Sequence, residues 1–141
     1  MSDAPSFGHH LIADLFCRRG LDDLVLIETI LREAAAAANV TLLDIRLHHF
    51  GAGHGVTGVA LLAESHISIH TWPEANAAAI DIFVCGARAD AEMALNVITS
   101  RLDGTCRAVQ LVPRLIGFAL SPAQRLVDSH STDASTPSTM F

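Results

Sequence analysis

The sequence predicts an α/β fold: a two-layer sandwich in which two helices cover one face of a mainly antiparallel sheet. Three observations carry this. Two segments repeat apolar residues at helical spacing, six others are β-branched or alternate polar with apolar, and Gly, Pro, Asn or Asp punctuates the joins. Each helical segment has one apolar stripe, so both fit on one side of the sheet, and the open side invites a homodimer.

Gly8 to Phe16 alternates partly and suits a short, half-buried strand. Leu21 to Asn39 reads as a helix because Leu24, Ile27, Leu31 and Ala34 recur at three and four residues and the alanine run favours helix. Asp22 and Asp23 are expected in its first turn, where negative charge suits the helix dipole. Val40 to Phe50, Val56 to Ala63, His66 to Thr71 and Ala77 to Cys85 read as strands of one sheet. Ala89 to Leu102 returns to helical spacing through Ala91, Ala94, Leu95, Ile98 and Leu102, and Asp103-Gly104 stops it. Thr105 to Val112 is the last strand.

With 141 residues there is room for one domain, placed at residues 1–127. A tail at 128–141, rich in Ser and Thr, is expected to be disordered. The chain is 50% hydrophobic with a mean hydropathy of +0.38, which excludes disorder as a description of the whole. Its net charge of -6 is the wrong sign for a phosphate backbone, so nucleic acid is not expected as a partner. No apolar run reaches the roughly 20 residues that cross a bilayer, and the first ten residues lack signal-peptide order. A cytoplasmic protein without a membrane partner is therefore expected, in which Cys17, Cys85 and Cys106 are free thiols.

Residues 64–74 read Glu-Ser-His-Ile-Ser-Ile-His-Thr-Trp-Pro-Glu and gather a hydroxyl, two imidazoles, two carboxylates and the only tryptophan. Strand alternation puts His66, Ser68 and His70 on one face and Ile67 and Ile69 on the other. By pattern alone, a reactive face and an ordinary polar face are equal readings.

This segment closely resembles the processing site of the prokaryotic, pyruvoyl-dependent S-adenosylmethionine decarboxylase proenzymes. The resemblance runs from Gly8-His9-His10-Leu11 through Leu47-His48-His49-Phe50, Gly55-Val56-Thr57-Gly58-Val59 and Asp81-Ile82-Phe83-Val84-Cys85-Gly86, covering roughly residues 8 to 112. It implies a chain that cleaves itself between Glu64 and Ser65. The Ser65 hydroxyl attacks the Glu64 carbonyl, elimination follows, and a pyruvoyl group remains as covalent cofactor, able to form a Schiff base with a substrate amine. No metal or pyridoxal group is implied.

The same resemblance makes His70 the processing histidine, in keeping with imidazole's aptness for proton transfer near neutral pH. Cys85 becomes the thiol that protonates the substrate α-carbon, and Thr57, where the family usually has serine, supports processing through its hydroxyl. Without the motif, an inert buried thiol and a hydrogen-bonded sheet histidine are the ordinary readings. Phe50 and Trp72 offer aromatic faces for a purine and a sulfonium, and Glu74 offers acceptors for ribose or amine. Core packing is the default expectation for Phe50, and a solvated charge is the ordinary reading of Glu74. His9, His10, His48 and His49 are expected to make no metal site, because adjacent strand residues face opposite ways and no carboxylate or cysteine spacing completes a ligand set.

Two stretches depart from the family pattern. After Glu74 the chain has Ala75-Asn76-Ala77-Ala78-Ala79, without the usual aromatic at 77, and the loop from Phe50 to Val56 is one residue longer and richer in glycine. Both lie near the implied substrate pocket. The implied activity is conversion of S-adenosylmethionine to its decarboxylated form for spermidine synthesis. Two alternatives stand beside it: the same chemistry on a basic amino acid, L-ornithine or L-arginine, and an inactive regulatory homologue.

Overall fold

The computed structural model describes residues 7–118, so the expected tail at 128–141 lies outside the described residues. Six strands, β1 (Gly8–Cys17), β2 (Thr41–His49), β3 (Val56–Ala63), β4 (Ser65–Trp72), β5 (Ala77–Cys85) and β6 (Gly104–Arg114), form one sheet in the order β2-β3-β4-β5-β1-β6. Every neighbouring pair is antiparallel. Helices α1 (Leu24–Ala37) and α2 (Ala91–Arg101) pack on each other and on one face, α1 over β2 and β3, α2 over β1, β5 and β6.

Both helices start where an aspartate caps them. Asp23 accepts from the Leu26 amide at 3.0 Å and Asp90 from the Met93 amide at 3.1 Å. Asp23 is thus the cap, and the first turn of α1 holds no acidic residue, contrary to the sequence expectation. The stripe of α1 is also rotated. Ile27, Ile30, Leu31, Ala34 and Ala35 are buried, while Leu24 stays partly exposed because it begins the helix at the rim. The α2 stripe is as expected, with Ala91, Ala94, Leu95, Ile98 and Leu102 all buried.

The sheet answers with alternate residues. Leu11, Val56, Ile67, Ile69, Ile80, Ile82 and Val84 meet the helices and are fully buried. Each such aliphatic side chain contributes roughly 1.5–3 kcal/mol relative to exposure. The opposite face carries Ile12, Thr57, Val59, Leu61, His66, Ser68, His70, Asp81 and Phe83, and nothing among the described residues covers it. Among the described residues no helix is long and apolar enough to cross a membrane.

Gly55 allows the glycine-rich loop to close. A Cβ there would stand 1.7 Å from the Thr71 carbonyl oxygen. The buried Thr71 hydroxyl accepts from the Val56 amide at 2.8 Å and donates to the Leu21 carbonyl, so it ties the loop to β4 and to the entry of α1.

Candidate active site

Leu62 pairs with Ser65, so Ala63 and Glu64 make a two-residue hairpin turn with the Glu64–Ser65 bond at its exit. Glu64 is exposed and Ser65 half-buried. The Ser65 Oγ atom is itself buried and has no hydrogen-bond partner. Leaving a buried hydroxyl unpaired costs on the order of 1–3 kcal/mol, and natural proteins keep few such groups.

Cys85 closes β5 opposite Gly8, and the pairing of His66 with Phe83 sets Ser65 and Cys85 at the same end of the sheet. His70 and Thr57 lie at the other end. They are register partners across β3 and β4, and Thr57 Oγ1 sits 3.1 Å from His70 Nδ1. Trp72 is tilted against His70 at 6.4 Å between ring centroids. Phe50 follows β2 at this same end, edge-on to His48 at 4.7 Å. Its side chain is 57% exposed, so the core packing expected by default is wrong: β2 ends at His49 and the loop carries Phe50 out over the rim. Glu74 is exposed in a single 3-10 turn, Pro73–Ala75, which Asn76 closes with a left-handed φ of 52°. Asparagine tolerates that conformation where most residues do not.

The site residues therefore fall into two groups: Glu64, Ser65 and Cys85 at one end, and Thr57, His70, Trp72, Phe50 and Glu74 at the other. Five residue steps of extended strand separate Ser65 from His70, roughly 16 Å at about 3.3 Å per step. Beside the second group, where the aromatic at 77 is missing, Ala77 and Ala79 floor a pocket of about 310 Å³ walled by Phe16 and Trp72 and rimmed by Asp14 and Arg107.

The open face also holds a cluster that spacing did not reveal. Asp81 Oδ1 bonds His10 Nε2, and its Oδ2 lies 3.3 Å from His66 Nε2. Arg114 Nη1 donates to His10 Nδ1 at 2.8 Å. The carboxylate that no local spacing supplied to the histidines comes from another strand, since Ile12 pairs with Asp81 and His66 with Phe83. The ligand atoms of His10, His66 and Asp81 lie within 4.8 Å of one another. A metal-bound imidazole donates through its second nitrogen, whereas here the second nitrogen of His10 accepts from a guanidinium. The set fits a hydrogen-bonded clamp better than a metal site. Burial pushes the Cys17 thiol up to about 11, so that buried sulfur is inert.

Residues 9–115 match the family model described as S-adenosylmethionine decarboxylase. A protein of Thermomicrobium roseum named S-adenosylmethionine decarboxylase proenzyme is 43% identical over 109 residues, 77% of this chain and 94% of that protein. One of the same name from Parasynechococcus marenigrum is 47% identical over 120 residues, 84% and 93% of the two chains. The crystal structure of the adenosylmethionine decarboxylase from Aquifex aeolicus superposes with a TM-score of 0.69 at 33% identity, covering 84% of this chain and 97% of that one.

Proposed function

The chain belongs to the S-adenosylmethionine decarboxylase family, and on that premise we propose that it cleaves itself at Ser65 and uses the resulting pyruvoyl group to release CO2 from S-adenosylmethionine in the cytoplasm. The observation that carries this reading is the Ser65 hydroxyl, buried without a partner at the exit of a two-residue hairpin, beside the Glu64 carbonyl. The names of the relatives favour S-adenosylmethionine over ornithine or arginine.

Ser65 Oγ adds to the Glu64 carbonyl carbon and the peptide C–N bond breaks, leaving an ester and a free amine on Ser65. Loss of the Ser65 α-proton expels the Glu64 carboxylate from Cβ, and water displaces ammonia from the dehydroalanine. The ketone so made supplies an electrophile for the substrate amine and a sink for the electron pair freed with CO2. His70 handles protons in the cleavage steps, and the Thr57 hydroxyl orients its ring. Cys85 delivers the proton that replaces the carboxylate on the substrate α-carbon. Phe50 and Trp72 offer aromatic faces, and Glu74 acceptors, to the adenosyl group.

One chain cannot do this alone if Ser65 and His70 keep their separation. We therefore take the working unit to be a homodimer joined through the open faces, with the Thr57–His70 end of one copy over the Ser65–Cys85 end of the other. Exposed Ile12, Val59, Leu61 and Trp72 give that face its apolar content. Intact-mass spectrometry tests the cleavage: two fragments, 1–64 and 65–141, are expected, the second blocked to Edman degradation. Ser65→Ala should give one uncleaved 15.0 kDa chain with a normal fold, and its normal cleavage would overturn the reading.

A further inference from the structure

We propose that Asp81 is a positioning residue for self-cleavage, its carboxylate clamping His66, the residue next to Ser65, against His10 and through it against Arg114. The proposal rests on the reading of Ser65 as the cleaved serine.

The clamp crosses four adjacent strands, β4, β5, β1 and β6, along the rows next to the scissile bond. Its hydrogens follow from its donors. A guanidinium only donates, so His10 Nδ1 accepts from Arg114 and His10 Nε2 carries the hydrogen that goes to Asp81 Oδ1. Asp81 Oδ2 is left for His66 Nε2. One carboxylate thus fixes two rings, and the guanidinium behind His10 holds the chain of bonds in one direction. Phe83 packs inside this frame, 5.3 Å from the His10 ring and 6.0 Å from the His66 ring, with the Arg114 guanidinium 5.4 Å from its centroid. Gly8 leaves room for it, since a Cβ there would lie 3.0 Å from the Phe83 ring.

Both reactive residues adjoin the frame: Cys85 follows Phe83 by two residues on the open face, and Ser65 immediately precedes His66, in line with Leu62 and Ile67 on the helix-covered face. Among the described residues, Asp81 is the hydrogen-bond partner that holds the His66 side chain. Attack of Ser65 Oγ on the Glu64 carbonyl depends on strand orientation, and misplacing a reacting group by about 1 Å costs on the order of 100-fold.

The test follows self-cleavage of freshly translated full-length chain by intact mass, with melting temperatures measured on the uncleavable Ser65→Ala background. Asp81→Leu and Asp81→Asn should cleave at least about tenfold more slowly. Asp81→Glu, which keeps a carboxylate, should recover part of the rate. The Ser65→Ala/Asp81→Leu chain should melt within a few degrees of Ser65→Ala, because an apolar side chain of similar volume replaces a half-buried charge at little cost. Ring nitrogen NMR of the same pair should show the His10 and His66 hydrogen bonds lost with Asp81. Wild-type cleavage rates in both Asp81→Leu and Asp81→Asn would overturn the clamp while an uncleaved Ser65→Ala chain leaves the Ser65 reading standing. Should the leucine variant fail to fold, Asp81→Asn decides alone, since it keeps the shape but turns one of the two acceptor oxygens into a donor amide and so can no longer accept from both rings. Cleavage of Ser65→Ala itself would overturn both.

Discussion

If each cleavage centre draws Ser65 from one copy and His70 from the other, two defective chains should repair each other. Within one chain the two residues stand roughly 16 Å apart along β4, several times the reach of a hydrogen bond. In a two-fold pair, a Ser65→Ala chain still offers an intact His70, and a His70→Ala chain still offers an intact Ser65. One of the two centres in the mixed dimer is then complete, and the other lacks both residues. Co-expressed at equal levels with random pairing, about half of the His70→Ala chains meet a Ser65→Ala partner, so about half should be cleaved. Expressed alone, His70→Ala should stay uncleaved or stall as an ester that hydroxylamine breaks, and the Ser65→Ala chain should stay whole in every mixture. A mass difference built into one chain lets a single intact-mass spectrum report both. The argument fails if His70→Ala is cleaved no more in the mixture than alone, which would place His70 in its own chain's centre. It fails equally if His70→Ala alone is cleaved at the wild-type rate.

Cys85→Ala should cleave at Ser65 yet lose most turnover, and should inactivate within a few cycles as misplaced protonation converts the pyruvoyl group to alanine; steady wild-type turnover would make Cys85 a packing residue. Peptide mapping after brief alkylation of the folded protein near neutral pH should find Cys106 modified and Cys17 spared, because Cys106 is exposed while burial pushes Cys17 up to about 11. Gly55→Ala places a Cβ 1.7 Å from the Thr71 carbonyl and should cost about 1–3 kcal/mol. Thermal melting should show this as a loss of several degrees, and an unchanged melting temperature would mean that the loop relaxes freely.

Strand and helix identity was legible because burial of one face leaves a period that survives in the sequence. Ala77 to Cys85 is a mostly apolar run bounded by Asn76 and Gly86, so its boundaries match the observed strand, in which alternate residues are buried. What periodicity does not carry is register. His10 and Asp81 are 71 residues apart and meet only because β1 returns to lie beside β5, a pairing that no local spacing announces. The same gap hid the separation of Ser65 from His70: the motif reads as one compact string of eleven residues, but a strand lays it out in a line. Phe50 misled in the other direction. An aromatic at the end of a strand-like run looks buried until the strand's last residue is known. In α1, the rotation of the stripe toward Ile30 and Ala35 depends on where Asp23 starts the helix, and an acidic pair does not reveal which member is the cap.

The order of the strands also governs what scission does to the molecule. A cut after Glu64 leaves β1, α1, β2 and β3 on one fragment and β4, β5, α2 and β6 on the other. The two sets are interleaved: β3 stays hydrogen-bonded to β4, and β1 is wedged between β5 and β6. Pulling the fragments apart would rip three ladders at once and split the contact between α1 and α2. The nicked protein should thus behave as a single cooperative body, with the halves inseparable short of unfolding. Halves made separately would have to thread together while folding, so the intact precursor is the natural route by which this interlock is assembled.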